Sequence, residues 1–270
     1  MSENVSTERV EFGIAVLGGP TTVVDIAGLR LVADPTFDPP ADKGYLTKIG
    51  GPAVSETGLG PVDAVLVSHD LHPDNLDDRG RAFALAAPLL VSGPRSAGRL
   101  GPTATPLPAW ETVSVPRGDR PGVLTIRAVP AMHGPADGVR DEYGHVNCEV
   151  TGFVLSADGV PTVYISGDNA SIAVVAEVAR RVGPIDAAVL FVGAARVPSK
   201  ERGRPLTLTS ERAAAAAAVL GAPLVVPAHY DSWAHFSEGP DRIVEAFDDA
   251  GLSQVLRMAE PGCWITPTPS

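Results

Sequence analysis

Apolar residues come along this chain in short runs, separated by polar steps rich in glycine and proline. Runs of roughly four to eight apolar residues bounded by turn signals read as buried strands. The pattern predicts strands over Val10 to Leu17, Thr21 to Ile26 and Leu29 to Asp34, with Ala27-Gly28 as a hairpin turn between the last two. Ala64 to Val67 is the next strand, followed by a helix over Asp78 to Ala87. Leu89 to Val91 reads as a short strand and Pro94 to Leu100 as a short helix. Strands over Thr112 to Val115, Val123 to Val129, Glu149 to Leu155 and Thr162 to Ser166 follow. A helix over Ser171 to Val182 then leads to a strand over Ala187 to Val192. The helix over Ser210 to Leu220 contains Ala213 to Ala218, a run of strong helix formers. Leu224 to Val226 reads as a strand, Asp241 to Ala250 as the last helix, and Val255 to Met258 and Trp264 to Ile265 as the last strands. The opening half is mostly strand with helices after it, and the second half loosely repeats that order. Two β-rich halves with outer helices predict an α/β fold of two packed sheets in four layers. The length of 270 residues suits one domain over residues 1–270 with an ample core.

The chemistry sits where the apolar runs end. Ser68-His69-Asp70-Leu71-His72-Pro73-Asp74-Asn75-Leu76-Asp77 joins a strand to a helix and crowds two His and three Asp into one loop. Met132-His133-Gly134, Gly167-Asp168-Asn169 and Ala228-His229-Tyr230 each follow an apolar run in the same way. Imidazole with carboxylate is the ligand set that Zn²⁺, Fe and Mn²⁺ favour. Any one of these His alone reads as a hydrogen-bonded core or surface residue. Four strand-end loops with the same donor types, holding four of the chain's six His, imply one metal site at one edge of a sheet.

Charge and cysteine content narrow the partners. The formal net charge is −11 and the pI about 4.9, which argues against a nucleic-acid surface. The opening residues Met1 to Arg9 are polar, without an apolar signal core, and no apolar stretch reaches membrane-spanning length. Cys148 and Cys263 have no ligand-type spacing. A cytoplasmic, disulfide-free protein acting on a small molecule is the plain reading. Oligomeric state is left open, a homo-oligomer included. No Gly-x-Ser-x-Gly elbow occurs, and Gly18-Gly19-Pro20 reads as a turn rather than a dinucleotide loop.

In order and context these fragments resemble the metallo-β-lactamase superfamily over nearly the whole chain, and within it the UlaG-type or lactonase-like metal-dependent hydrolases. Asp34 in Leu31-Val32-Ala33-Asp34-Pro35 matches the family's early Asp after a hairpin. Ser68 to Asp77 approximates its His-x-His-x-Asp-His loop, and His133, Asp168 and His229 match its later ligands. The run Val226-Pro227-Ala228-His229-Tyr230-Asp231-Ser232-Trp233-Ala234-His235-Phe236 is the closest single match to the UlaG-like branch. Two departures stand out. His69 and His72 are three residues apart where the family has two, and Asn75 stands where the family has His. Either His69 takes the first ligand place, with one extra residue absorbed by the loop, or Asp70 takes it in register. Imidazole is the better donor, which favours His69.

The resemblance implies a four-layer αββα sandwich and two divalent ions, Zn²⁺ or Mn²⁺/Fe²⁺. It implies His69, His72 and His133 on one ion, Asp74 and His229 on the other, and Asp168 bridging. Asn75 is then a weak neutral partner, which leaves the second ion with three protein ligands. Catalytic roles fall to Asp74 as acceptor of a proton from the nucleophilic water, to Asp168 as spacer of the ions, and to His235 as a pocket or orienting residue. For His235 the alternative is packing against Trp233 and Phe236. Asp34 is implied as a structural hydrogen-bonding residue beneath the ions. The Gly134-to-Gly144 stretch and His145 read as a lid or as a solvated connection. The implied activity is hydrolysis of a small ester, lactone or phosphodiester by a metal-bound hydroxide. The alternatives are a nuclease of the same fold, a non-catalytic metal- or ligand-binding relative, and a redox di-iron version; one fold hosts many reactions.

Overall fold

The computed structural model describes residues 4–118 and 120–266. The chain opens with an antiparallel meander of β1 (Phe12–Gly18), β2 (Thr21–Ile26) and β3 (Leu29–Ala33). Ala27 and Gly28 turn the second corner with φ of 59° and 83°. Two successive positive φ values give the turn that matches the right-handed twist of a hairpin. A short ribbon of β4 (Ala41–Asp42) and β5 (Thr47–Lys48) and a 3₁₀ turn over Glu56–Leu59 follow. The chain then alternates strand and helix: β6 (Ala64–Val67), α1 (Asp78–Leu85), β7 (Leu90–Ser92), α2 (Pro94–Leu100) and β8 (Ala104–Pro106). The first sheet has the order β1-β2-β3-β6-β7-β8, parallel from β3 onward.

The second half repeats the plan. Its antiparallel strands are β9 (Thr112–Pro116), β10 (Val123–Pro130), β11 (Thr151–Ser156) and β12 (Val163–Ile165). Helices α3 (Ile172–Val182) and α4 (Ser210–Leu220) cross to the parallel strands β13 (Ala187–Phe191) and β14 (Leu224–Ala228), and α5 (Pro240–Asp249) closes the layer. The order is β14-β13-β12-β11-β10-β9.

Alternation along the strands explains the four layers. Val24, Leu31 and Leu66 of the first sheet face Ile126, Phe153, Val189 and Val226 of the second in one shared core. The intervening Val23, Val32 and Val65 pack under Ala84, Ala97 and Leu100 of α1 and α2. Tyr164, Leu190 and Val225 pack under Val175, Ala213, Ile243 and Phe247 of α3, α4 and α5. Both faces of each sheet are covered, so the strands read as near-continuous apolar runs. This is the expected αββα sandwich. Two expectations fail near the end of the chain. Val255 to Met258 and Trp264 to Ile265 are not strands but single bridges, Val225 to Leu256 and Ile14 to Ile265; a turn over residues 253–255 takes up the start of the first run, and a turn at Gly262 bends the chain just before the second. Among the described residues no helix is long and apolar enough to cross a membrane.

Strands β10, β12, β13 and β14 run the same way, and β11 runs opposite. The carboxyl ends of the first four therefore meet the start of β11 at one rim. The carboxyl ends of β3 and β6 lie together in the first sheet, and a bond from Thr151 N to Ser68 O joins the two rims. Loops at such carboxyl ends are where open α/β sheets place their ligands.

Candidate metal centre

The loop after β6 is fixed at both ends. Ser68 N donates to Asp34 Oδ1 at 2.6 Å. At the far end Asp77 accepts from Gly80 N as the cap of α1, from Phe37 N and Asp38 N, and from Lys48 Nζ at 2.8 Å. Between these anchors His69, His72, Asp74 and Asn75 are buried. Asp70 points the other way and accepts from Arg99 Nε at 2.9 Å. His69, not Asp70, reaches the other donors.

Three imidazoles converge. His69 Nε2 lies 2.9 Å, and His133 Nε2 3.0 Å, from His72 Nδ1. His133 Nδ1 faces the Leu206 carbonyl at 3.1 Å, so Nδ1 carries the ring proton and Nε2 presents a lone pair. Burial holds His69 and His133 well below the ordinary imidazole range and His72 down to about 4. Neutral rings with inward lone pairs are what a metal requires. Cys148, from the segment before β11, completes this group: its Sγ and the three ring nitrogens lie within 4.8 Å of one another. Burial pushes the Cys148 thiol up to about 12. On its far side His72 Nε2 meets Lys200 Nζ at 2.7 Å.

A second group of Asp74, Asp168 and His229 adjoins the first, again with one donor atom each within 4.8 Å. Asp168 faces both. Its Oδ2 is 3.5 Å from His133 Nε2, and its Oδ1 is 3.5 Å from His229 Nε2 and accepts from Asn75 Nδ2 at 3.0 Å. Burial pushes Asp168 up to about 6 and Asp34 to about 7. Burial acts on Asp74 in the same direction, but His229 and His235 overcome it and hold that carboxyl well below the usual range. His235 Nε2 is 3.0 Å from Asp74 Oδ2, and the ring lies edge-on to Trp233. Asn75 Nδ2 also donates to Asp34 Oδ2 at 3.3 Å.

His229 sits in left-handed backbone at φ 61°. Its N donates to Gly19 O, and its carbonyl accepts from Gly193 N at 3.0 Å. A Cβ on Gly193 would lie 2.2 Å from that carbonyl, so only glycine fits. Phe191 and Phe236 hold the ring from either side.

The polar atoms test whether divalent ions suit these residues. Asp74 Oδ1, Asn75 Oδ1, both ring nitrogens of His229 and Nδ1 of His235 are buried without a hydrogen-bond partner. Such orphans are rare and costly, and five of the nine among the described residues cluster at the second group. Two sets of three or four hard and borderline donors, sharing one carboxylate, fit two divalent ions.

Tyr45, Leu46, Val197, Lys200 and Leu206 form a narrow cleft over His72, Asp74, His133 and His235. A wider groove lined by Phe12, Val160, Leu224 and Arg257 lies at the opposite ends of the strands and holds none of these residues. His145 stays apart, its backbone bonded to Asp141. Spacing had pointed to neither Cys148 nor Lys200. The only available signal for Cys148 was its place just before a strand that starts at the rim.

Residues 30–230 match the family described as the β-lactamase superfamily domain. A UPF0173 metal-dependent hydrolase of Methanosphaerula palustris is 29% identical over 206 residues, covering 74% of this chain and 83% of its own. An isothiocyanate hydrolase from Delia radicum gut bacteria has the same fold with a TM-score of 0.77 at 18% identity, over 95% of this chain and 99% of its own. A metallo hydrolase from Ignicoccus hospitalis gives 0.69 at 20% identity, over 96% and 99%. The family match spans well over half of the sequence, so this chain belongs to the β-lactamase superfamily and is built on the metallo-β-lactamase fold.

Proposed function

We propose that this chain is a metal-dependent hydrolase of a small ester, lactone or phosphodiester, acting as one domain. The observation that carries the reading is Asp168 standing between two buried donor groups, one oxygen toward each. The relative from Methanosphaerula palustris, named a metal-dependent hydrolase, supports the same class. On this reading His69, His72 and His133 hold a first ion, Asp74 and His229 a second, and Asp168 both. Two such ions supply Lewis acidity toward a carbonyl or phosphoryl oxygen and activate water at neutral pH.

The chain's own residues do the rest. His235 orients Asp74 by holding Oδ2, which leaves Oδ1 free of protein partners to take a proton from an incoming water. Asn75 ties Asp168 to Asp34 and so fixes the carboxylate that spaces the two groups. Tyr45 and Lys200 give the cleft a polar wall, while Leu46, Val197 and Leu206 exclude water. The acidic balance of −11 disfavours long polyanions.

The test is a screen of p-nitrophenyl esters, lactones, bis-p-nitrophenyl phosphate and labelled RNA, with and without chelator, on protein of measured metal content. Turnover of a small substrate that chelator abolishes and Zn²⁺ or Mn²⁺ restores is the expected result. Turnover of RNA alone would move the reading to a nuclease. A protein that holds no metal would be a binding relative.

A further inference from the structure

The fourth member of the first group has no counterpart in the ligand set that the sequence suggested. Cys148 is buried and lies on the return leg of a small hairpin between β10 and β11. Two anchors fix it. Before it, Val146 is buried against Gly134 and Gly138, where any Cβ would come within 3.0 Å and 2.4 Å of its Cγ1. After it, Glu149 accepts from Arg95 N at 2.8 Å, and Thr151 N donates to Ser68 O. The thiol is thus held toward His69, His72 and His133 by packing on both sides rather than by the histidines. Three ring nitrogens, one each from His69, His72 and His133, crowd the same place, within 4.8 Å of the thiol sulfur. His133 Nε2 is bare of hydrogen and faces His72 Nδ1 at 3.0 Å; with Lys200 Nζ donating to His72 Nε2, that gap holds the His72 ring proton, whose place an ion would take.

Resting on the two-ion reading above, but with Asp168 held by the second ion alone, we propose that the Cys148 thiolate is the fourth protein ligand of the first ion, making that site a closed His₃Cys set. The thiol proton leaves to solvent as the ion arrives. A closed four-donor set is the form of a structural site, whereas three protein donors leave a position open for water or substrate. The two ions then differ in kind. The first is fixed and reinforces the seam between the sheets. The second, on Asp74, Asp168 and His229, exchanges and meets the substrate. A thiolate also selects among metals: it favours Zn²⁺ and Co²⁺ over Mn²⁺ at the first position.

Metal-free protein carrying Cys263→Ser, in which Cys148 is the sole thiol, is titrated with Co²⁺ and followed by absorption. Cys263 is a fit residue to replace, because its Sγ merely donates to Asn4 at the surface. The first equivalent is expected to bring visible d–d bands together with a near-ultraviolet sulfur-to-cobalt charge-transfer band. The second equivalent adds visible intensity only. Adding Cys148→Ala should remove the charge-transfer band and keep the visible bands. It should also weaken the first equivalent by at least about tenfold, the low end of what even an outer partner of a ligand is worth. Mn²⁺ in excess should displace the second Co²⁺ and not the first. Visible bands without a charge-transfer band in the Cys263→Ser protein would overturn the thiolate ligand and leave the two-ion reading standing. Absence of any cobalt band would overturn both. The single-thiol protein decides the question by itself even where Cys148→Ala does not fold.

Discussion

His69 and Asp70 are neighbours in sequence with opposite surroundings. His69 turns into the buried donor group, while Asp70 pairs with Arg99 on the other side of the loop. Substituting each therefore separates metal binding from stability. His69→Ala should lower bound metal while leaving the far-ultraviolet circular dichroism unchanged. Asp70→Ala should keep the metal and cost about 1 kcal/mol, because its Arg99 partner is part-exposed and screened. Metal analysis and urea unfolding on the two variants check this. Metal lost from Asp70→Ala and kept in His69→Ala would reverse the assignment. His229 makes a related point. A histidine in left-handed backbone is tolerated here because Gly19 and Gly193 both bond its peptide groups. Gly193→Ala should therefore cost at least about 2 kcal/mol through the clash with the His229 carbonyl. A denaturation midpoint equal to that of the parent would show that the strand end can move aside.

The helices and strands act here mainly as mounts, and α1 shows how much one mount carries. Its cap Asp77 accepts four donors, among them the buried ammonium of Lys48. Asp77→Ala is expected to cost about 3–5 kcal/mol, because it strands a buried charge as well as a helix terminus. Thermal unfolding of the metal-free variant measures this apart from any ion, and a loss under about 1 kcal/mol would mean that Lys48 finds another partner. The sequence made the mounts easy to find. Ala64 to Val67 is apolar on both faces, and both it and Thr21 to Ile26 match the strands residue for residue; Pro94 opens α2 at its first turn, and Thr209 caps α4 just before Ser210. The His and Asp at the rim were legible because each follows such a strand. Cys148 was not, because what aims its thiol is a hairpin whose packing lies between residues distant in sequence. The ribbon of β4 and β5 escaped notice because two-residue strands carry no period to detect. Asp25 and Arg30, charged residues inside strand-like runs, form a fully buried pair at 2.7 Å between adjacent strands, a pairing that no run of residues displays.

At the scale of the whole molecule the buried ionisable groups set how the metal-free protein responds to acid. His69, His72 and His133 are depressed below 6.5 by burial. An unfolded chain takes up three protons below that pH that the folded rings refuse, so stability falls as pH falls. Asp34 and Asp168, pushed up from 3.8 to about 7 and about 6, act in the opposite sense: protonated when folded and charged when unfolded, they favour the fold as pH falls. His229 is raised by Asp168 and Asp74 against the effect of burial, and keeps its proton in both states. Three rings against two carboxylates leave a net uptake of about one proton, so stability should drop by about 1.4 kcal/mol per pH unit between about pH 6 and 4.5. Urea unfolding in chelator across that range tests it, and a midpoint that rises on acidification would sink it. The bridge between Ile14 and Ile265 has a consequence in time. The strands of the first sheet are all present once residue 106 has been made, but the sheet facing them begins at Thr112, and the residue that pairs with the edge strand β1 is Ile265. At roughly 5–20 residues per second, a nascent chain on the ribosome carries that edge unpaired for roughly 8–30 s. The half that bears His69, His72 and Asp74 is therefore the half that waits longest, and the arrival of the segment around Ile265 is what ends the wait.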